Sequence, residues 1–160
     1  MDGTDVSNRD RAELLAAIAV AGRRHYAAYA LFNQALANRL GLHPTDLQCV
    51  SLLDLEPEPL STGEIAKLLG LTSGSATRLV DRLEEAGLVT RVPDPRDRRK
   101  ALVSLATQRG AEINTAWASP GGAFTEALQD FGDDELAVIE RYLRRTTEVG
   151  NEQARRLSTP

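Results

Sequence analysis

Apolar positions recur at steps of three or four residues through Leu14, Ile18, Ala21, His25, Tyr29, Phe32, Leu36 and Leu40, the spacing of one face of a helix. The pattern predicts a helix over residues 9–40 with a buried stripe, stopped at Gly41. His43 is a predicted cap and Pro44 restarts a helix, because proline is preorganised for the first helical position. That second helix runs to about Leu55, and the stretch EPEPL over residues 56–60 reads as an acidic loop broken by prolines.

Ser61 and Glu64 stand at capping-box spacing, so a short helix begins there, turns Ile65, Leu68 and Leu69 inward and stops at Gly70. Thr72 or Ser73 caps the next helix, which ends at Gly87. Its residues Ala76, Leu79, Val80 and Leu83 make one face, while Ser75, Arg78 and Arg82 make another at i, i+3 and i+7. One face is built to pack and the other is left to read. Residues 88–92 and 101–105 are short apolar, β-branched runs on either side of PDPRDRRK, which predicts a hairpin whose charged, proline-containing tip stays solvated. After Thr107, a predicted cap, a helix resumes through Trp117, and Ser119-Pro120-Gly121-Gly122 is expected to interrupt it before helical pattern returns over 123–130. Asp133 or Asp134 caps a last helix carrying Leu136, Ile139, Leu143, Thr146 and Val149 at helical spacing.

The expected fold is therefore mostly α with a small β-hairpin wing, a winged helix-turn-helix flanked by terminal dimerisation helices. Residues 1–160 form a single domain in this reading, with a central lobe at 42–105 and flanking helices at 9–40 and 107–157. Apolar terminal helices are economical if each chain's ends pack against those of a second copy, so a homodimer is expected.

Charge sharpens this picture. The chain is net −4, which argues against a nucleic-acid partner, since phosphate neutralisation supplies most non-specific affinity. Residues 72–105, however, hold seven basic against five acidic side chains, while the segments before and after are each net −3. A local basic face in acidic surroundings is what duplex DNA requires. Composition removes other classes. With 42% hydrophobic and 26% charged residues the chain is ordinary globular protein, no apolar run approaches a membrane span, and the first residues have no basic-then-apolar start, so a cytoplasmic protein is expected. One cysteine, Cys49, excludes an intrachain disulfide and a multi-cysteine metal site, and His25 and His43 are too few for a histidine cluster, so no metal or cofactor is expected. Cys49 shares a helix face with Leu53 and reads as a buried, inert thiol, and His25, lying in the apolar stripe, reads as structural. No nucleophile–base pair or glycine-rich phosphate loop is present, so an enzyme is not expected. Aromatic residues at 4% supply no stacking platform for single strands.

The segment 71–105, LTSGSATRLVDRLEEAGLVTRVPDPRDRRKALVSL, closely resembles the MarR family (multiple-antibiotic-resistance regulators), with its T-R-L-V-D-R-L-E-x-x-G-L-V-x-R helix and D-x-R-D-x-R wing. The similarity spans residues 42–105 strongly, and the flanking helices agree in placement. The resemblance implies a transcription regulator, a ligand-responsive repressor acting as a homodimer on a palindromic operator. It implies that the helix over 72–87 enters the major groove, where Ser73, Ser75, Thr77, Arg78 and Arg82 meet bases or phosphates. It implies a wing-tip arginine in the adjacent minor groove, with Arg99 the first choice and Arg98 or Arg96 the next, and Asp97 as the residue that orients it. Electrostatics agrees, because a narrow minor groove attracts an arginine without base-specific bonds. The resemblance further implies a small aromatic effector in a cleft, with Tyr29 and Trp117 as lining residues. Two features depart from the family pattern: Leu105-Ala106-Thr107 puts the threonine after the wing one position late, and Pro120-Gly121-Gly122 is unusual in the helix that follows. The rival from another class is a winged-helix module that binds protein, to which Arg78, Arg82 and Arg99 are dispensable.

Overall fold

The computed structural model describes residues 10–95, 97 and 100–158, with the backbone alone described at 107–114 and 119. Helices α1 (Arg11–Leu40), α2 (Pro44–Leu53), α3 (Thr62–Leu69), α4 (Ser73–Glu85), α5 (Thr107–Glu126) and α6 (Asp133–Ser158) dominate it. Strands β1 (Leu60–Ser61), β2 (Val89–Pro93) and β3 (Ala101–Leu105) form one antiparallel sheet in the order β1-β3-β2. The predicted fold class, mostly helical with a small sheet, is what is found. Two compact units divide the chain, one up to Ser51 and the other from Leu52 onward.

In the first unit, the Asp10 carboxylate accepts the Glu13 N–H at 2.8 Å to start α1, and Gly41 ends the helix at φ 68°, a conformation glycine adopts without Cβ strain. The expected burial of the α1 stripe is not met within one copy of the chain. Leu36 is buried, but Ile18 is 47% and Tyr29 38% exposed, and His25 is exposed rather than set in a core. His43 does cap α2, its Nδ1 accepting the Thr45 N–H at 3.3 Å. Helix α2 stops at Leu53, two residues before the expected end.

In the second unit, the capping box is complete: Ser61 Oγ accepts the Glu64 N–H at 3.3 Å, and the Glu64 carboxylate accepts the Ser61 N–H at 2.7 Å. Gly70 at φ 65° ends α3, and Thr72, not Ser73, caps α4 through the Ser75 N–H at 3.2 Å. The core of this unit joins Ile65 and Ala66 of α3, Ala76, Leu79, Val80 and Leu83 of α4, and Leu88, Val89 and Val103 of the hairpin, all buried.

The structure departs from the sequence expectations at several places in this unit. Leu60–Ser61 is not loop but a third strand, pairing Leu60 with Val103 and Ser61 with Leu102, so β3 is the central strand. Pro93 sits inside β2, opposite Ala101, at the end of the ladder where its missing N–H costs least. Thr107 is the first residue of α5 rather than its cap; Ala106 occupies the cap position with no side-chain bond, held by its N–H to the Leu88 carbonyl at 2.9 Å. Helix α5 also runs unbroken through Pro120. Proline's φ is itself helical, so the residue withholds one N–H from the Ala116 carbonyl without ending the helix. Asp133 is likewise the first residue of α6 rather than its cap, with the Glu135 carboxylate accepting the Gly132 N–H at 2.9 Å, and none of the described residues of α6 is buried.

Candidate nucleic-acid interface

Helix α4 is positioned by burial of one face. Ala76, Leu79, Val80 and Leu83 are at most 1% exposed, so the helix has one rotational setting about its axis. That setting turns Ser73, Thr77, Arg78 and Arg82 to the surface, with Ser75 at the first turn. The predicted reading residues on α4 thus all lie off its buried face, with Ser75 half-buried and the others exposed.

Ser73, Ser75, Thr77 and Arg78 bond locally. Thr77 Oγ1 donates to the Ser73 carbonyl at 2.9 Å, and Thr72 Oγ1 donates to Ser75 Oγ at 3.0 Å. Arg78 Nη2 reaches Ser75 Oγ at 3.5 Å, and Arg82 Nη1 donates to the Arg78 carbonyl at 3.4 Å. The Arg78 contact is long and solvent-exposed, so it holds that guanidinium weakly against a competing anion. The helix N-terminus beside them adds backbone N–H groups and a positive dipole end, which favour phosphate.

Strands β2 and β3 project the wing from the C-terminal side of α4, in the register Val89 to Leu105, Arg91 to Val103 and Pro93 to Ala101. Past Pro93 the chain is tied by Asp94 N–H to the Lys100 carbonyl at 3.0 Å and by Lys100 N–H to the Asp97 carbonyl at 2.8 Å. The Asp97 carboxylate lies 4.0 Å from Lys100 Nζ. Arg96, Arg98 and Arg99 lie outside the described residues, and with them the expected pairing of Asp97 with Arg99. Not every basic residue of 72–105 is free to face a ligand. Arg91 stands in the ladder at the wing root, bonded to Asp81 and Glu84 of α4, a contact that periodicity alone did not reveal.

The residues expected to line an effector cleft sit as follows. Tyr29 stands beside the rings of His25 and Phe32, with centroids 6.2 and 6.0 Å away. Trp117, half-buried, lies over Gly121, where a Cβ would meet its ring at 3.5 Å. They belong to separate units. Neither lines the open groove on α1, which is bounded by Ala16, Ala17, Val20, Ala21 and Arg24.

Cys49 is buried as expected, and burial, with the nearby Asp46 carboxylate second, pushes its thiol up to about 12. It stays protonated at neutral pH, and a thiol is a poor nucleophile in that form. Among the described residues no group of His, Cys, Asp and Glu could hold a metal ion, and no helix is long and apolar enough to cross a membrane.

Known proteins are similar to this chain in sequence and in fold. Residues 40–100 match the sequence model of the MarR family. The chain is 36% identical over 127 residues to the "Uncharacterized HTH-type transcriptional regulator YcgE" of Bacillus subtilis (strain 168), covering 79% of this chain and 82% of that protein. Its fold resembles a MarR family protein from Bacillus stearothermophilus with a TM-score of 0.67 and 25% identity, over 88% of this chain and 97% of that one. It also resembles a mutant of S. aureus MepR, solved bound to an oligodeoxyribonucleotide, with a TM-score of 0.56 and 19% identity over 82% and 96% of the two chains.

Proposed function

This chain belongs to the MarR family, a family of transcription regulators rather than enzymes, and on that footing we propose that it is a homodimeric repressor that binds a palindromic operator in duplex DNA. The observation that carries the reading is the division of α4: one face locked into the core, the other presenting Arg78 and Arg82 beside a wing. A helix held in this way enters the major groove, where Arg78 or Arg82 bonding a guanine at two points gives about 1–3 kcal/mol of discrimination. The wing follows the adjacent minor groove, with Arg99 as the inserted side chain and Arg98 or Arg96 beside it. The oligonucleotide bound to MepR supports the same class of ligand.

The dimer rests on the apolar faces of α1 and α6. Ile18 and Tyr29 on α1, and Leu143 and Val149 on α6, are between 38% and 52% exposed in one copy, and apolar stripes of that kind call for a cover. Two copies related by a two-fold axis set two reading helices about one DNA turn, ~34 Å, apart. A small aromatic effector that prefers a different spacing of those helices releases DNA by the ratio of its affinities for the two arrangements.

Replacing Arg99 with Ala and measuring binding to the DNA upstream of the gene across salt tests the wing. Affinity is expected to fall, and the log–log salt slope to shrink by ~0.9 for each phosphate no longer neutralised. Unchanged affinity and slope remove Arg99 from the interface.

A further inference from the structure

Arg91 is a charged residue on the inward side of a strand. The two-residue period of β2 puts it on the same face as Val89, which is 1% exposed, and the ladder sets it opposite Val103, which is fully buried. Its side chain is only 25% exposed. A guanidinium in that place needs partners, and both terminal nitrogens have them: Nη2 donates to Asp81 Oδ1 at 2.6 Å and Nη1 donates to Glu84 Oε2. Asp81 and Glu84 are one helical turn apart on α4, the helix that carries Arg78 and Arg82. One side chain therefore ties the root of the wing to two points on the reading helix, and the planar fork of arginine fixes the angle between them in a way a lysine does not.

We infer that Arg91 is a positioning residue for DNA recognition: it touches no nucleic acid, and it holds the reading helix and the wing in the single arrangement that fits adjacent grooves. The inference rests on the DNA-binding reading above. It differs from that reading in assigning a function to an arginine whose two terminal nitrogens are already engaged within the protein, and in giving two acidic residues of the interface helix a favourable role. Acids beside DNA repel phosphate, so simple electrostatics predicts that removing Asp81 and Glu84 tightens binding. The clasp predicts the opposite sign.

The test uses the full chain and a duplex that the wild-type protein selects from a random-sequence pool, with a scrambled duplex of equal length as the non-specific probe. Arg91→Ala and the double variant Asp81→Ala/Glu84→Ala are each expected to bind the selected duplex about tenfold more weakly, a change of ~1.4 kcal/mol. Binding to the scrambled duplex and the salt slope are expected to hold. Combining all three substitutions is expected to add nothing, because the residues act as one unit. Tighter or unchanged binding by the double variant overturns the inference. So does a salt slope reduced by ~0.9 in Arg91→Ala, which marks a direct bond to phosphate. An equal loss on both duplexes overturns it too, since that reports only a smaller folded fraction. If the wild-type protein selects no duplex, the DNA-binding reading itself has failed.

Discussion

Helices α4 and α6 are written in the same amphipathic pattern and meet different fates. Along α4, Ala76, Leu79, Val80 and Leu83 disappear into the core of their own unit; along α6, Leu143 is 52% and Val149 43% exposed, and no described residue is buried. Periodicity says that a face will be covered without saying by what. For α4 the cover is α3 and the hairpin of the same chain. For α6 the proposed cover is a second copy. The polar faces differ as well. That of α6 is stitched by ion pairs such as Arg144 with Glu140 at 2.7 Å and Arg156 with Glu152 at 2.8 Å, whereas among the described residues Arg78 on α4 reaches a hydroxyl, at 3.5 Å. A helix whose charges are matched within itself supports structure, and one that holds a guanidinium against a neutral group is placed to meet an anion.

The contrast is broken most forcefully in the core. Leu79→Ala is expected to lower the unfolding free energy by ~2–5 kcal/mol, read as a fall in the urea midpoint whatever the protein concentration. A loss under ~1 kcal/mol means that α4 is not anchored as described. Leu143→Arg on α6 is expected to leave the fold intact and to weaken self-association by ~1–2 kcal/mol, about tenfold or more in the dimer dissociation constant. Analytical ultracentrifugation decides this, and a wild-type chain that stays monomeric at micromolar concentration rejects the dimer outright.

Smaller effects sharpen the placement of α4 by loosening its neighbour α3. Ser61→Ala removes the cap and is expected to cost ~1 kcal/mol in thermal or urea unfolding. The pH dependence follows from the other half of the box. Bonds from the Ser61 side chain and backbone hold the Glu64 carboxyl below its ordinary value. Its folded value lies below its unfolded one, so the stabilisation is present above the unfolded value, near pH ~4.3, and is lost as pH falls through the folded one. Glu64→Gln is expected to flatten the acid side of the stability profile slightly, and an unchanged profile denies the carboxylate its role.

Much of this fold was legible in the residues because its signals are local. Ser61 with Glu64, Gly70, Thr72 and the alternation of 101–105 each mark a boundary within a few positions, and each was found where expected, the cap of α4 falling on the first of two candidates. What escaped depends on distant pairing or on context. Leu60–Ser61 becomes a strand only because β3, far along the chain, offers it an edge. Pro120 reads as a break from its type, yet the surrounding helix absorbs one missing donor. Arg91 counts as one more wing charge until the register sets it against Val103 and within reach of Asp81 and Glu84. The exposed face of α4 was legible as a site because packing of its opposite face was legible first.

The most direct test is selection of duplex DNA from a random pool by the full chain, followed by sequencing of what is retained. A homodimer with paired reading helices predicts a two-fold symmetric motif whose half-sites are centred about 10 base pairs apart, one turn of the duplex. Retention of no motif, or of a single unrepeated half-site, contradicts it.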